Sequence, residues 1–271
     1  MERTLPRPLD WRSLWPAALV VLAVVNVALI QDVVQEGLPA DWDIYIEAGR
    51  DAWSGRPIYD DSLAYPFTYS PLLAYLFGAI APIGYAGWWV LHLLAAGALP
   101  FPLSLIALAS FPFWWDAMAG NVVIFQVLLG AWAMRGQAWA IGGTFLLAVL
   151  VPRPVLLPLL AWLLWRHPAW RLPFVVIAVT LLAASFATGQ GVEWLATAVG
   201  RASDMQHPFN LGPSAYIGLA WIPIGLALAA WLVRRGNVGL ACLAASPYLL
   251  PYYLLFGLLG GSHRRDLTWW R

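Results

Sequence analysis

Residues 31–70 read QDVVQEGLPADWDIYIEAGRDAWSGRPIYDDSLAYPFTYS, and this stretch holds eight of the 14 acidic residues of the 271-residue chain. Only two basic residues, Arg50 and Arg56, accompany them. An apolar block long enough to cross a bilayer precedes the stretch, and another begins directly after it. A segment this polar between two such blocks is expected at a membrane surface, because charged groups are costly inside the bilayer.

The composition of the whole chain is that of an integral membrane protein. Hydrophobic residues make up 61% of it, charged residues 11%, and the mean hydropathy is +0.70, whereas soluble domains carry about 25% charged residues. The 18 Trp and 10 Tyr suit anchoring at the two membrane interfaces. A net charge of +1 argues against a nucleic-acid partner. A single cysteine, Cys242, excludes an intrachain disulfide and a cysteine-based metal cluster.

The arginines predict the orientation of the chain in the membrane. All 15 basic residues are arginine, and three of them precede the apolar block at residues 14–30. We interpret that block as a retained transmembrane helix, because no small-residue cleavage pattern follows it. Later arginines fall in alternate loops, at Arg135, at Arg166 with Arg171, and at Arg234 with Arg235. Since cytoplasmic loops are rich in basic residues, the N-terminus is predicted to be cytoplasmic and residues 31–70 to be the first extracytoplasmic loop.

Eight further apolar blocks follow, at about residues 71–83, 86–109, 121–134, 138–151, 155–165, 172–187, 214–233 and 238–259. Several are too short to cross a flat bilayer alone, and prolines interrupt many of them. Broken backbone at membrane depth is tolerated where protein or a water-filled cavity satisfies it. We therefore predict an all-α fold, a single domain over residues 1–271 that forms a cavity-bearing bundle of about nine transmembrane or re-entrant helices.

The C-terminal end does not fit this simple count. Nine spans from a cytoplasmic N-terminus would leave the arginines of residues 262–271 outside, against the charge rule. Either one block is re-entrant or the block at 238–259 is a broken hairpin. The remaining outside loops are predicted to carry Asp116, the sequence Pro152-Arg153-Pro154, and residues 189–213.

The polar stretch is predicted to contain a short surface helix, Asp41–Trp53, which ends at Ser54-Gly55. Asp41 and Tyr45 are four residues apart and share one face of this helix, and Ala48 and Ala52 continue that face toward the protein. From the local pattern, Asp41 has two interpretations. It is either an N-cap, which stabilises the helix by about 1 kcal/mol, or a carboxylate presented for chemistry.

The residues DWDIYIEAGRDAWSGRPIYDD…FTYSPLLAYLF in this region resemble family 87 of the glycosyltransferases, the polyprenyl-phosphate-mannose-dependent α-mannosyltransferases of the GT-C fold. The family pattern is Asp-x-x-x-Tyr-x-x-Ala, then Gly and Tyr, then Phe-x-Tyr-x-Pro. Its positions correspond here to Asp41, Tyr45, Ala48, Gly55, Tyr59, Phe67, Tyr69 and Pro71. The resemblance covers roughly the first third of the chain.

Further along, the similarity is patchier. Gly120-Asn121-Val122 resembles a short motif that opens a later helix, Asn210 and Ser214 resemble an Asn/Ser-bearing loop, and Ser246-Pro247 resembles a late Ser-Pro motif. Two positions depart from the family pattern. Val151 replaces a Lys before Pro-x-Pro, and Tyr252, beside Tyr253, replaces a His after Ser-Pro.

The resemblance implies an inverting transferase that moves a sugar, in this family mannose, from a polyprenyl-phosphate carrier to a lipid or glycan acceptor. It implies a cell-envelope enzyme of a bacterial or archaeal plasma membrane, with its site on the extracytoplasmic face. A base must take the proton of the acceptor while a cation or hydrogen-bond donor stabilises the leaving phosphate. The two departures and the short chain keep a second hypothesis open, a non-catalytic protein of the same fold that binds or transports lipid-linked glycans. A helical scaffold in a larger complex is a third.

The resemblance assigns the base to Asp41, with Asp43 as the alternative carboxylate. Arg153 is either a phosphate ligand or an arginine that extends to the membrane interface. The other residues assigned to substrate binding are Tyr45, Arg50, Arg56, Tyr59, Tyr69, Asn121, His207, Asn210 and Tyr252. The alternatives are pairing with neighbouring carboxylates for the two arginines, a solvated loop residue for His207, and anchoring at the membrane interface for Tyr252 and Tyr253. We treat His92 as a satisfied polar group between helices. No cofactor is predicted, and the spacing shows no dedicated metal site, although scattered carboxylates can hold Mg²⁺ through water.

Overall fold

The computed structural model describes residues 20–28, 41–60, 66–202 and 209–262, and every regular element in these ranges is a helix. The predicted all-α class is therefore confirmed for this part of the chain. Residues 20–28 are helical and form α1. The others are α2 Asp41–Trp53, α3 Pro71–Ile80, α4 Gly84–Gly97, α5 Leu103–Ala109, α6 Phe111–Ala119, α7 Val123–Ala133, α8 Ala138–Leu150, α9 Leu157–Arg166, α10 Arg171–Ala187, α11 Gly191–Ala202, α12 Ser214–Ile217, α13 Trp221–Arg234, α14 Val238–Ala245 and α15 Leu259–Ser262. A long 3₁₀ helix, Pro251–Leu258, precedes α15.

Three helical segments are long and apolar enough to cross a membrane, namely Pro71–Gly97, Pro168–Ala187 and Ser214–Arg234. The outer surfaces of α10 and α13 carry large exposed apolar side chains, among them Leu172, Val179 and Ile224. Water would not favour such surfaces, whereas lipid tails would. These features identify an integral membrane protein.

Other apolar helices are shorter than the predicted blocks. The 11 residues of α7 extend roughly 16 Å at 1.5 Å per residue, about half of a bilayer core of about 30 Å. The predicted block at 86–109 is divided into α4 and α5 by a turn at residues 98–102. Pro100 and Pro102 lie in that turn, and proline in a helix interior breaks the backbone hydrogen-bond ladder.

The block at 238–259 is a broken hairpin, one of the two arrangements that the sequence allowed. The helix α14 ends at Ala245, the chain turns through residues 246–250, and the Pro251–Leu258 helix then returns along α14. The close fit depends on Gly239, where a Cβ would lie 2.6 Å from the backbone nitrogen of Gly260. Two short antiparallel helices thus replace one span, and the chain runs back toward the end from which α14 began.

The helices place two sets of turns at opposite ends of the bundle. At one end, the backbone N–H of Ser70 donates to Leu150 O at 3.0 Å, and the Ser70 hydroxyl lies 2.8 Å from that of Ser185. At the other end, the turns at Gly136 and His167 are adjacent. Five arginines lie at the end of the bundle opposite Ser70, namely Arg135, Arg166, Arg171, Arg234 and Arg235. Each of them adjoins one end of a helix whose other end lies on the Ser70 side.

The buried apolar side chains of the described residues form three clusters. The largest lies among α4, α5, α6, α7, α8, α9, α14 and the Pro251–Leu258 helix. The second packs α2 and α3 over Trp88, Val122 and Val151, and the third lies between α13 and α14. The predicted helix Asp41–Trp53 is confirmed, and its buried face includes Tyr45, Ala48 and Ala52, as the four-residue spacing predicts. The surface helix is therefore fixed to the bundle by its apolar face.

Gly49 and Gly78 allow α2 and α3 to cross at very short range. A Cβ on Gly49 would lie 2.7 Å from the Cα of Gly78 and closer still to its nitrogen. The indole of Trp53 covers Gly78 and donates to Tyr75 O at 2.9 Å. Any side chain at position 49 must push the two backbones apart.

We expect Gly49→Ala to destabilise the protein by about 1–3 kcal/mol, the usual cost of inserting atoms into a filled contact. The measurement is the unfolding midpoint of the purified protein in mild detergent. Gly97→Ala is the matched control, because Gly97 is also helical but a Cβ there would meet nothing within 4 Å. Equal midpoints for the two variants would show that the α2–α3 contact is not tight.

Candidate functional site

The Asp41 side chain points inward, toward the bundle, from the first turn of α2. Its Oδ2 accepts a short hydrogen bond from Nδ2 of Asn121, and the residue is half-buried. Among the described residues, no backbone N–H of α2 donates to this carboxylate. The N-cap interpretation of Asp41 is therefore not the one that the structure adopts.

Asn121 reaches Asp41 because Gly120 brings the two chain segments together. Gly120 ends α6 in the left-handed conformation, with a φ of 75°, which costs little only for glycine. A Cβ at Gly120 would also lie 2.6 Å from Cβ of Trp42. The predicted Gly120-Asn121-Val122 motif does open a helix, α7, which begins at Val123.

A buried polar frame holds the Asn121 backbone. His92 Nε2 lies 2.8 Å from Asn121 O, and its Nδ1 lies 2.9 Å from Trp88 O. The backbone N–H of Asn121 donates to Asp116 O at 2.9 Å. The Asp116 carboxylate accepts the N–H of Ile124 at 2.8 Å and that of Val123 at 3.3 Å, so it satisfies the first amides of α7.

The location predicted for Asp116 was wrong. The residue lies within α6 and is 0% exposed rather than in an outside loop. Its Oδ2 is also 3.8 Å from His92 Nε2. His92 is the satisfied polar group between helices that the sequence predicted. Its partner could not be identified from the sequence, because helix packing alone brings α4 to the start of α7.

Arg153 is the second charged group of the site, and it is only 5% exposed. Its position between Pro152 and Pro154 leaves it in extended backbone, before a 3₁₀ turn at Pro154–Leu156. This burial rules out the alternative in which the side chain extends to the membrane interface. Nη2 donates to Asn121 Oδ1 at 2.7 Å and to the hydroxyl of Tyr69.

Three tyrosine rings enclose the Arg153 guanidinium. Its carbon lies 5.2 Å from the ring centres of Tyr69 and Tyr253, and 5.8 Å from that of Tyr252. Such cation–π contacts stabilise a charge without neutralising it. Within the described residues, Nε and Nη1 have no hydrogen-bond acceptor. Unpaired N–H groups of a buried cation are costly, so an anion that reached these donors would satisfy them.

The Asp41 carboxyl has a raised pKa of about 6. Burial is the largest cause, and the Asp116 carboxylate adds to it, whereas the Asn121 hydrogen bond and the Arg153 charge act in the opposite direction. Asp41 as a whole residue is half-buried, but protein surrounds its carboxyl, so desolvation dominates. At neutral pH the group is mainly ionised and can take up a proton close to that pH.

Tyrosine hydroxyls continue the site on the α2 side. Tyr45 donates to the hydroxyl of Tyr69 at 3.4 Å, and Tyr59 donates to Tyr69 O at 2.6 Å. The structure thus brings together six of the predicted residues, which are Asp41, Tyr45, Tyr69, Asn121, Arg153 and Tyr252, with Tyr59 on the edge. Tyr253, which the sequence left outside the assigned residues, lies in the same cluster beside Tyr252.

Three predicted residues lie elsewhere on α2 and the loop after it. Asp43, Arg50 and Arg56 line a surface depression of about 520 Å³ on the outer side of α2. Asp43 and Arg50 are exposed. Arg56 is 64% exposed and forms an ion pair with Asp51 at 2.5 Å. The helical period explains this, since positions 43 and 50 face away from positions 41 and 45.

Asn210 braces a turn near the site. Its Oδ1 accepts the N–H groups of Gly212 and Leu249, both at 2.9 Å, and its Nδ2 donates to Ser214 Oγ at 3.0 Å. Leu249 is at the end of the turn that leads to Tyr252 and Tyr253. Asn210 therefore holds the turn that precedes these tyrosines, and its assignment to substrate binding stays a prediction. His207 lies outside the described residues.

No group of three or more His, Cys, Asp or Glu side chains in the described ranges is arranged to hold a metal ion. Cys242 is buried in α14.

Comparison with known proteins finds no family model, no curated protein and no solved structure that matches this chain.

Proposed function

We propose that this protein is a membrane-embedded inverting glycosyltransferase of the GT-C type, in which Asp41 is the general base. It transfers a sugar, mannose on the family resemblance, from a polyprenyl-phosphate carrier to a lipid or glycan hydroxyl. One observation supports this most directly. An ionisable carboxylate and a buried guanidinium with unpaired donors lie on the two sides of the Asn121 amide.

In the proposed reaction, the acceptor oxygen attacks the anomeric carbon of the sugar as its proton passes to the Asp41 carboxylate. The bond between that carbon and the phosphate oxygen breaks, and the electron pair leaves with polyprenyl phosphate. Direct displacement from the opposite face inverts the configuration. Arg153 stabilises the charge on the leaving phosphate, because a guanidinium donates to phosphate oxygens in a two-pronged geometry.

The position of the arginines supports an extracytoplasmic site. Arg135, Arg166, Arg171, Arg234 and Arg235 lie at the end of the bundle opposite the site. Under the charge rule that end is cytoplasmic. Polyprenyl-phosphate donors remain in the bilayer, so the proposal requires that such a carrier reach this site, at the outer ends of short helices, from the membrane. The proposed location is a bacterial or archaeal plasma membrane.

The direct test is turnover by the purified protein in lipid nanodiscs. Radiolabelled polyprenyl-phosphate mannose is supplied with a glycolipid acceptor extract, and both the labelled product and free polyprenyl phosphate are measured. The proposal predicts equal amounts of the two. Binding of polyprenyl phosphate without its release from the charged donor would support the non-catalytic alternative. Absence of both binding and turnover would contradict both hypotheses.

The pKa of Asp41 predicts the pH dependence of the reaction. A general base must be ionised, so kcat/KM should fall on acidification with an apparent pKa of about 6. At pH 5 we expect about a tenth of the plateau rate, because each pH unit below the pKa lowers the ionised fraction about tenfold. The measurement is initial rate against pH at low donor concentration. An acidic limb near 4 would indicate an unperturbed carboxyl as the base.

A further inference from the structure

Asn121 uses nearly all of its hydrogen-bonding capacity inside the protein. Its Oδ1 accepts from Val122 N and from Arg153 Nη2, both at 2.7 Å, and its Nδ2 donates to Asp41. Its backbone groups are bonded as well, and the residue is 1% exposed. An amide has two acceptor positions and two N–H donors. Only one N–H remains, so Asn121 is poorly suited to the substrate contact that the resemblance implied.

The orientation of this amide is fixed by its neighbours. Oδ1 faces two donors, the Val122 N–H and the guanidinium, whereas Nδ2 faces a carboxylate. Rotating the amide by 180° would place N–H groups against N–H groups and oxygen against oxygen. Asn121 therefore always presents a donor to Asp41 and an acceptor to Arg153.

Without an intervening group, Asp41 and Arg153 are expected to meet. Oppositely charged side chains in a partly buried site form a direct, often two-pronged ion pair. Such a pair would occupy the carboxylate oxygens that must accept a proton and the guanidinium donors that must contact phosphate. Both proposed roles would be lost in one contact.

We propose that Asn121 is a positioning residue that keeps the Asp41 carboxylate and the Arg153 guanidinium apart, so that each retains a free position for substrate. This inference rests on the proposed function, because it assigns the two groups the roles given there. The rigid frame around Asn121 suits the role. Gly120, His92 and Asp116 hold its backbone, so the Asn121 side chain extends from a fixed point toward the two charges.

Several groups face Asp41 from the surrounding elements, and together they determine how the pKa of Asp41 changes when Asn121 is replaced. They are Tyr45 on α2, Asp116 on α6, Arg153 before α9, and Tyr252 on the 3₁₀ helix, and Tyr69 is hydrogen-bonded to both Tyr45 and Arg153. Of these, Arg153 is the cation and Asp116 is the other carboxylate. Closer approach of Arg153 would lower the pKa of Asp41, whereas loss of a hydrogen-bond donor alone would raise it.

Asn121→Ala separates these two outcomes by the sign of the effect. If Asn121 is a spacer, Arg153 closes onto Asp41 and the Asp41 titration midpoint falls by roughly one unit or more. If Asn121 is only a donor, the midpoint rises. The measurement is the carboxyl band of Asp41 in infrared difference spectra against pH, identified by its loss in Asp41→Asn. A rise, or no change, overturns the proposal.

Two further variants keep the test decisive. Asn121→Ser retains a hydroxyl that can accept the Val122 N–H but is too short to bridge the charges, so it replaces Ala if that variant does not fold. The double variant Asn121→Ala/Arg153→Gln has no guanidinium at position 153, so the titration midpoint of Asp41 should rise above that of the wild type. Asn237→Ala, an amide at the far end of the bundle, is the control and should leave the midpoint unchanged.

The infrared titration needs no sugar transfer, so it distinguishes the two proposals. If the wild type turns over no donor while the Asn121→Ala midpoint falls, the spacer stands and the transferase fails. If Asn121→Ala transfers sugar at the wild-type rate with an unchanged midpoint, the spacer fails and the transferase stands. When both hold, Asn121→Ala should lower kcat and raise the KM for the donor, because the ion pair occupies both groups.

Discussion

Replacement of Asp41 by Asn should lower sugar transfer by about 10²- to 10⁴-fold, the usual contribution of a positioned general base. Asn is close to Asp in size and still offers an oxygen to the Nδ2 of Asn121. It has no carboxylate that can accept the acceptor proton. Donor affinity should change little, because Arg153 and its tyrosines remain in place. The measurement is kcat in nanodiscs at pH 7.5, together with the Kd for polyprenyl phosphate.

Asp43→Asn is the matched comparison for this result. The two carboxylates are two residues apart on the same helix, but Asp43 is exposed on the outer side of α2. It should therefore transfer sugar within about threefold of the wild type, as surface substitutions usually change little. Activity lost in Asp43→Asn and retained in Asp41→Asn would reverse the assignment, and the carboxylate at position 43 would become the base.

The sequence predicts the face of α2 that belongs to the site, because the helical period determines it. Asp41, Tyr45, Ala48 and Ala52 lie at spacings of three and four, and the structure places all four on the inner side. The same period separates Asp43 from the site, although the resemblance kept it as an alternative base. Residue spacing is therefore sufficient to predict which side chains share one face of a single helix.

Partners from distant parts of the chain could not be predicted in this way. Asn121 and Arg153 lie 80 and 84 residues from their respective partners, Asp41 and Tyr69. The motif Pro152-Arg153-Pro154 was compatible with both a buried and an interfacial arginine. The choice depends on three tyrosine rings, two of which follow the turn at 246–250. Motif resemblance named these residues, but only packing defines what each one contacts.

Membrane topology was the least predictable feature. The arginines of alternate loops all lie at one end of the bundle. The sequence could predict this, because the presence of a charge at the end of a helix depends only on the nearby residues. The lengths of the blocks were less informative, because the apolar run at 238–259 was compatible both with a single span and with a broken hairpin. Ser246-Pro247 and Pro251 supply the break, and in a chain with 21 prolines the sequence alone does not distinguish a kink from a reversal.

Replacement of Arg153 should have its main effect on the donor. We expect Arg153→Lys to weaken binding of polyprenyl phosphate by about 2–5 kcal/mol, or roughly 30- to several-thousand-fold in Kd. Lysine keeps the charge but lacks the planar fork, and the Asn121 oxygen and Tyr69 hydroxyl would share one small ammonium group. The measurement is equilibrium binding of polyprenyl phosphate in nanodiscs, with inorganic phosphate as a competitor.

Arg56→Lys is the control for this variant, because Arg56 is exposed and pairs with Asp51 outside the site. It should bind polyprenyl phosphate within about threefold of the wild type, since surface ion pairs contribute little. Arg153→Gln adds a second readout. Arg153 lowers the pKa of Asp41, so its removal should move the acidic limb of the pH–rate profile above 6. The assignment of Arg153 would be wrong if Arg153→Lys left the Kd for polyprenyl phosphate unchanged and Arg153→Gln left the acidic limb of the pH–rate profile unchanged. The guanidinium would then neither contact the phosphate nor influence the pKa of the base.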